Sequence, residues 1–96
     1  MTAYVLIDLD VHDPEGFATY RTDVPVLIAK HGGKYLVRGG KFEVLEGEWQ
    51  PNRLVVLQFP DRQAIHNFFD DPDYSDLKAL RQRVSDSVII AVDGID

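Results

Sequence analysis

The chain contains no cysteine among its 96 residues, and this absence excludes several kinds of site. Disulfide bonds, iron–sulfur clusters, thiolate zinc sites and a cysteine nucleophile all need the missing side chain. Long apolar runs are also missing, because Asp8 and Asp10 interrupt the apolar N-terminal segment. We therefore expect neither a signal peptide nor a membrane partner, and a cytoplasmic protein by default.

Positive charge is scarce as well. The chain has 10 Lys and Arg against 16 Asp and Glu, for a formal net charge of −6. Nucleic acids and anionic membranes are bound through clustered basic residues. The basic residues here are dispersed among acids and apolar residues, so we expect no nucleic-acid partner.

The periodicity of apolar residues predicts strands at residues 3–11, 53–59 and 88–92. Residues 35–38 and 42–46 also have strand character and flank Gly39-Gly40. We interpret them as one long strand bent at a bulge on the glycine pair, and two strands joined by a tight turn remain an alternative.

Capping residues and prolines predict helices between the strands. Asp13-Pro14 supplies an N-cap and a first-turn proline for a helix that ends at Gly32, and Pro25 is expected to kink it. Asp61 caps a second helix. Asp71-Pro72 breaks that helix and restarts it.

The resulting order is βαββαβ in a single domain over residues 1–96, which is the α+β, ferredoxin-like pattern. Right-handed crossovers place both helical segments on one face of the sheet, and the other face would be polar in a monomer. It is apolar instead, with Leu54 and Val56 in one strand and Ile90 in another. Strands that are apolar on both faces need cover on both. We therefore expect a homodimer in which two sheets pack face to face as a dimeric α+β barrel.

The segment at residues 32–47 holds five of the seven glycines and isolates one cation, Arg38, beside Gly39-Gly40. Glycine is favoured where the backbone needs a positive φ or where another group approaches closely. A long cationic side chain beside such a place is a candidate ligand for a small anion. The alternative is an ion pair of Arg38 with Glu43, Glu46 or an aspartate, either within the chain or across a dimer.

Four further side chains are candidates for a site. Tyr20 and Tyr74 lie on apolar helix faces, where a hydroxyl needs a partner, so each either packs in the core or lines a ligand pocket. Asp8 is the weak candidate for a base in a pocket. His31 is the weak candidate for acid–base work, with helix capping as its alternative role.

Metal and cofactor sites are not expected. Asp8, Asp10 and His12 share one strand face, but same-face neighbours about 6–7 Å apart on a straight strand converge poorly on one ion. The glycine pairs do not form a dinucleotide or phosphate-binding fingerprint.

Ten short segments together match a known family; they are Asp13-Pro14-Glu15, Tyr20-Arg21, Val24-Pro25, Gly32-Gly33, Leu36-Val37-Arg38-Gly39-Gly40, Glu43-Val44-Leu45-Glu46-Gly47, Arg53-Leu54-Val55-Val56, Phe59-Pro60, Pro72-Asp73-Tyr74 and Leu80-Arg81. Nearly end to end, the chain resembles the domain-of-unknown-function 1330 family within the dimeric α+β barrel superfamily. The resemblance implies a homodimer with a ferredoxin-like protomer, and no assigned chemistry. His31 and Asp61 depart from the pattern, since Tyr and Ser are more usual there.

Two functions of different classes are compatible with these observations. The first is a cofactor-independent enzyme that oxygenates or isomerises an anionic or aromatic metabolite. The resemblance suggests it, because distant members of the superfamily include cofactor-independent monooxygenases, haem-degrading enzymes and isomerases, although a fold alone does not choose among chemistries. The second is a non-catalytic dimer that binds a metabolite or another protein.

Overall fold

Four strands and three α-helices make up the fold, and the computed structural model describes all residues, 1–96. In chain order they are β1 Ala3–Val11, α1 Pro14–Lys30, β2 Lys34–Arg38, β3 Arg53–Phe59, α2 Arg62–Phe69, a 3₁₀ turn Pro72–Tyr74, α3 Ser75–Val84 and β4 Ser85–Asp93. None of the helices is long and apolar enough to cross a bilayer.

The strands form one antiparallel sheet in the order β2-β3-β1-β4. The two central strands are β1 and β3. The helices pack on one face of this sheet. The prediction of a ferredoxin-like α+β fold is confirmed.

Short polar side chains begin the helices where the sequence predicts. The Asp13 carboxylate accepts a hydrogen bond from the Gly16 amide at 3.2 Å, ahead of Pro14. The Asp61 carboxylate accepts one from the Ala64 amide at 2.8 Å. These caps satisfy amide groups that have no partner inside the helix. The first helix runs through Pro25 as one continuous element.

The core lies between the sheet and the helices as a single cluster of 15 buried residues. Its densest part is aromatic: the rings of Phe68 and Tyr74 lie 4.5 Å apart, and Phe59 packs 5.9 Å from Phe68. Large aromatic side chains contribute most of the buried area in such a cluster. This cluster holds the 3₁₀ turn and α2 onto the sheet.

The face of the sheet away from the helices is apolar and uncovered in the protomer. Val88, Ile90 and Val92 of β4 are 68%, 54% and 45% exposed, and Leu6 of β1 is 38% exposed. Ile90 lies opposite Leu6 in the β1–β4 register. This continuous aliphatic surface agrees with the apolar alternation in the sequence.

The glycine-rich segment differs from its prediction. Strand β2 ends at Arg38, and residues 42–46 form no strand. Arg38 lies opposite Val55, so the chain has passed Arg53, the first residue of β3, before it reaches residue 42, and residues 42–46 have no part of β3 beside them. The expectation of one long strand through residues 35–46 was therefore wrong, and so was the alternative of two strands joined at Gly39-Gly40.

A bulge does exist in β2, but it lies at Leu36 and not at the glycine pair. Tyr35 is opposite Leu57 and Arg38 is opposite Val55, so the register gains one residue between them. Leu57 and Val55 both face the helices. Because one extra residue shifts all following side chains to the other face, the bulge turns Arg38 toward the helices, on the same side as Tyr35.

Gly39 ends this strand in the left-handed region, with φ of 71°, and Gly40 has no positive φ. The Gly39 amide donates to the Leu54 carbonyl at 2.8 Å. A Cβ at Gly39 would overlap the guanidinium of Arg53, whereas a Cβ at Gly40 would meet nothing within 4 Å. Position 39 therefore requires glycine, whereas position 40 has room for a larger side chain.

We predict that Gly39→Val lowers the free energy of unfolding by about 2 kcal/mol or more, because valine is strained at positive φ and would displace Arg53. Gly40→Val is the matched control and should change it by about 0.5 kcal/mol or less. Urea denaturation of the two variants measures the difference. Equal effects would contradict the requirement for glycine at position 39.

Candidate functional site

A cavity opens between the helices and the sheet, inside the core rather than on the uncovered face. Its volume is about 50 Å³, enough for a few water molecules at about 10–15 Å³ for one. The lining comes from all four strands and all three helices and consists of Ile7, Leu9, Phe17, Tyr20, Arg21, Val24, Ile28, Tyr35, Arg38, Arg53, Val55, Leu57, Phe68, Phe69, Tyr74, Arg81 and Ile89.

The charged side chains around the cavity are all cationic. They are Arg21, Arg38, Arg53 and Arg81, and neither a carboxylate nor an imidazole lines the cavity with them. None of the four forms an ion pair within 4.0 Å; the ion pairs of the chain join Lys30, His31 and Arg62 to aspartates elsewhere. In a chain with net charge −6, this leaves a local concentration of unpaired positive charge.

Arg38 lies at the exposed end of the cavity, over β2. Its guanidinium carbon is 4.8 Å from the centre of the Tyr35 ring, and its Nη2 is 3.4 Å from the Arg21 carbonyl oxygen. Neither Glu43 nor Glu46 pairs with it. Burial raises the pKa of Tyr35, while the charges of Arg38 and Arg53 act in the opposite direction.

Arg53, at the start of β3, is held on two sides. Its guanidinium lies 6.0 Å from the centre of the Phe17 ring and packs against Gly39. Its Nε is buried without a hydrogen-bond partner. Arg53 and Arg21 also line an adjacent open groove that contains Asp10, so they stand between the cavity and solvent.

Arg81, on α3, is the most enclosed of the four and is only 6% exposed. Its Nη1 donates to the Ser87 hydroxyl on β4, and its Nε is buried with no partner. A buried guanidinium normally has a carboxylate beside it. Arg81 has a single serine.

Tyr20 and Tyr74 form a hydrogen-bonded pair of hydroxyls in the lining, with an O···O distance of 2.8 Å. Burial raises the pKa of Tyr20 well above its usual range, and the neighbouring Tyr74 adds to that shift. Tyr20 therefore stays protonated near neutral pH and can donate a hydrogen bond.

The structure brings together three of the residues predicted as ligand-binding, since Arg38, Tyr20 and Tyr74 all line this cavity. It does not bring the two catalytic candidates to it. Asp8 lies on the opposite face of the sheet, where its carboxylate accepts from the Trp49 indole at 3.3 Å and the Asn52 amide at 2.9 Å.

His31, the other catalytic candidate, belongs to a clasp that we define as Lys30, His31 and Asp71. The Asp71 carboxylate is 2.8 Å from both Lys30 Nζ and His31 Nε2, and it also accepts from the Asp73 amide at 2.9 Å. The clasp joins the end of α1 to the 3₁₀ turn that carries Tyr74. It positions one wall of the cavity without facing the cavity itself.

Sequence reasoning missed Arg21, Arg53 and Arg81, although each occupies an apolar-face position. Arg21 follows Phe17 by four residues and precedes Val24 by three. Arg81 follows Leu77 by four and precedes Val84 by three. A cation at an inward position of an amphipathic pattern is the signal that identifies them.

The family model described as "Domain of unknown function (DUF1330)" matches residues 2–95. The chain belongs to this family. No curated protein is similar to it in sequence.

Several solved structures share the fold. The protein of unknown function RPA0582 from Rhodopseudomonas palustris is 19% identical, with a TM-score of 0.81 over 99% of this chain and 83% of that one. SnoaB, a cofactor-independent oxygenase from Streptomyces nogalater, is 14% identical, with a TM-score of 0.69 over 99% and 94%. A dimeric ferredoxin-like protein of unknown function from Jannaschia is 9% identical, with a TM-score of 0.65 over 98% and 100%.

Because of the clasp, the free energy of unfolding depends on pH in the acidic range. Hydrogen bonds from Lys30, His31 and the Asp73 amide hold the pKa of Asp71 well below its usual range. A depressed carboxyl pKa contributes stability that is complete above about pH 4 and is lost as the pH falls toward the lower folded-state pKa.

We predict that Asp71→Asn lowers the melting temperature at pH 7 and that the difference from the wild-type melting temperature becomes smaller at pH 2. Asp70→Asn, at an exposed neighbour that accepts no side-chain hydrogen bond, is the control; a deficit independent of pH would contradict this role.

Proposed function

We propose that this protein is a homodimeric small-molecule enzyme that acts without a cofactor on an anionic aromatic metabolite bound in the cavity. The observation that carries the proposal is the set of four arginines around one cavity with no carboxylate among them. Arginine stays protonated throughout the physiological range, so this charge is permanent. An anionic ligand would supply the missing counter-charge.

The remaining lining supports an aromatic body for the ligand. Phe17, Tyr35, Phe69 and Tyr74 contribute ring surface, which favours a flat apolar group between them. The empty cavity is smaller than an aromatic ring system. Arg21 and Arg38 are exposed, and the one hydrogen bond of the Arg38 side chain, to the Arg21 carbonyl, is a long one of 3.4 Å. Movement of these two side chains is therefore the least costly way to admit a ligand.

The chemistry open to such a site is stabilisation of an oxyanion. Guanidinium groups and protonated tyrosine hydroxyls stabilise developing negative charge on oxygen, and they do so best where water is excluded. A phenolate or enolate held in this way is electron-rich and can react at carbon, either with molecular oxygen or by relocating a proton. Oxygenation and isomerisation both pass through such a species, and the fold shared with the cofactor-independent oxygenase SnoaB is consistent with the first.

The lining offers no side chain that accepts a proton at neutral pH. Arginine cannot act as a base, and Tyr20 is kept protonated by burial. Ionisation of the substrate would then depend on the arginines lowering the substrate's own pKa, as nearby positive charge does for any acid. Asp8 and His31 have no part in this mechanism.

The homodimer is supported by the uncovered aliphatic face of the sheet and by the dimeric ferredoxin-like protein of the same fold. A contiguous apolar surface of this kind is rare on soluble monomers. Two copies related by a two-fold axis would bury the same patch on each other. The cavities lie on the helical side of each sheet, so each protomer would carry its own.

The second candidate is a non-catalytic dimer that binds the same class of metabolite. It is favoured by the absence of a proton acceptor from the cavity lining. Oxygen uptake or product formation with a bound phenol or enol distinguishes it from the enzyme, since a binding module would release the compound unchanged.

We predict that Ile90→Asp gives a folded monomer. Ile90 is 54% exposed in the protomer, so a carboxylate is tolerated there until a second sheet covers it, when its burial becomes costly. Val26→Asp, at a 73% exposed position on α1, is the control and should remain a dimer. Light scattering measures both masses; a wild-type monomer, or a dimeric Ile90→Asp, would exclude this interface.

We predict that Arg38→Ala removes the thermal stabilisation given by an aromatic carboxylate such as 2-naphthoate while changing the ligand-free stability by about 1 kcal/mol or less. The stabilisation follows RT ln(1 + [L]/Kd), so a weaker Kd appears directly as a smaller shift in melting temperature. Arg83→Ala, an exposed arginine of α3 outside the cavity lining, is the matched control. An unchanged shift in Arg38→Ala would contradict the role of Arg38.

A further inference from the structure

The positive charge of Arg81 is enclosed with no anion to balance it. Only 6% of its surface is exposed. The one hydrogen-bond partner of its guanidinium group is the neutral Ser87 hydroxyl. Its Nε donor is unpartnered and buried beside the cavity that the side chain lines. A buried, unpaired cation opposes folding, so its retention calls for a function.

Arg81 and Arg38 lie at opposite ends of the cavity. Arg38 belongs to β2, at one edge of the sheet, and Arg81 reaches Ser87 of β4, at the other edge. Three strand spacings of about 4.8 Å separate those edges, a distance of about 14 Å. Between them the lining is aliphatic and aromatic, and it includes Tyr20 and Tyr74, whose hydroxyl oxygens are 2.8 Å apart.

We propose that Arg81, with the Tyr20 and Tyr74 hydroxyls, forms a second oxyanion subsite at the β4 end of the cavity, so that the ligand carries an oxygen anion at each end of a flat apolar body. This inference rests on the proposed function, which needs only one anion, held near Arg38. It specifies the class of ligand as an aromatic dicarboxylate, or an aromatic carboxylate with a phenolate or enolate oxygen at the far end. The end held by Arg81 is the drier one, where hydrogen bonds to charge are strongest.

Two matched pairs of probes test the second subsite. The first pair is benzoate and terephthalate, and the second is 2-naphthoate and 2,6-naphthalenedicarboxylate. The two compounds of a pair have the same aromatic body and differ by one carboxylate. Affinities of wild type and variants are measured at pH 7.5 by calorimetry or NMR titration. We expect one dicarboxylate to bind about 10- to 100-fold more tightly than its monocarboxylate partner, the gain typical of a hydrogen bond to a charged group.

Arg81→Met keeps an unbranched stem and removes the guanidinium group with its charge. It should abolish the preference for the dicarboxylate over its monocarboxylate partner, and Arg81→Lys should retain part of the preference. The ligand-free Arg81→Met protein should melt at the same temperature as wild type or higher, because an uncompensated buried charge has been removed. A purely structural Arg81 predicts the opposite, a lower melting temperature. Arg83→Met on the same helix is the control.

Wild-type protein gives an independent readout in case Arg81→Met does not fold. The Nε–Hε signal of Arg81 should shift on addition of the dicarboxylate and stay in place with the monocarboxylate. If monocarboxylates bind but the dicarboxylates gain nothing and the Arg81 signal does not move, the second subsite is excluded and the proposed function stands. If no probe of either kind binds wild type, the proposed function fails and the subsite with it.

Discussion

The packing of one sheet face against the helices is the constraint on which the rest of this structure depends, because it produces the single core of a 96-residue chain. A domain of this size has little apolar surface beyond that needed for stability. A cavity placed inside such a core removes contacts that the protein could otherwise use. The aromatic cluster of Phe59, Phe68 and Tyr74 compensates by fixing α2 and the 3₁₀ turn at one side of the opening. The same side chains therefore provide both stability and part of the cavity wall.

The cavity also lowers stability through electrostatic repulsion and desolvation of charge. Four arginines share its lining, and two of them have a buried Nε with no partner. Function is a common reason for a protein to keep an arrangement that reduces stability. None of the acids of this chain lines the cavity: the clasp uses Asp71, the helix caps use Asp13 and Asp61, and Asp8 bonds to the loop before β3. Negative charge is thus employed outside the cavity and positive charge inside it, in a protein whose total charge is negative.

Sequence periodicity predicted the fold well because the elements obey local rules. Strand β3 alternates without interruption, and Asp13 and Asp61 cap helices by hydrogen bonds that depend only on nearby residues. The site was predicted less well, since Arg38 was recognised from its glycine neighbours but its face depends on a bulge at Leu36 that no residue type announces. Residues 42–46 show why local pattern is insufficient, because a strand also needs a neighbouring strand to pair with, and β3 begins only at Arg53, too late to lie beside them. Arg21 and Arg81 were within reach of the helical periodicity, yet an arginine is ordinarily assumed to point toward solvent.

The bulge at Leu36 has a consequence for how this family can vary. Regular pairing of β2 with β3, with Leu36 kept and no bulge, would place Leu36 opposite Val56 and Val37 opposite Val55, and would move the Arg38 side chain to the uncovered face of the sheet. The cation would leave the cavity and enter the surface that is proposed to meet a second protomer, with no change in the strand order. Loss of the bulge alone would therefore take a cation out of the cavity lining and place an unpaired charge on the proposed interface. A relative that lacked both the bulge and the residue at position 36 would instead keep its arginine opposite the equivalent of Val55, on the side of the helices.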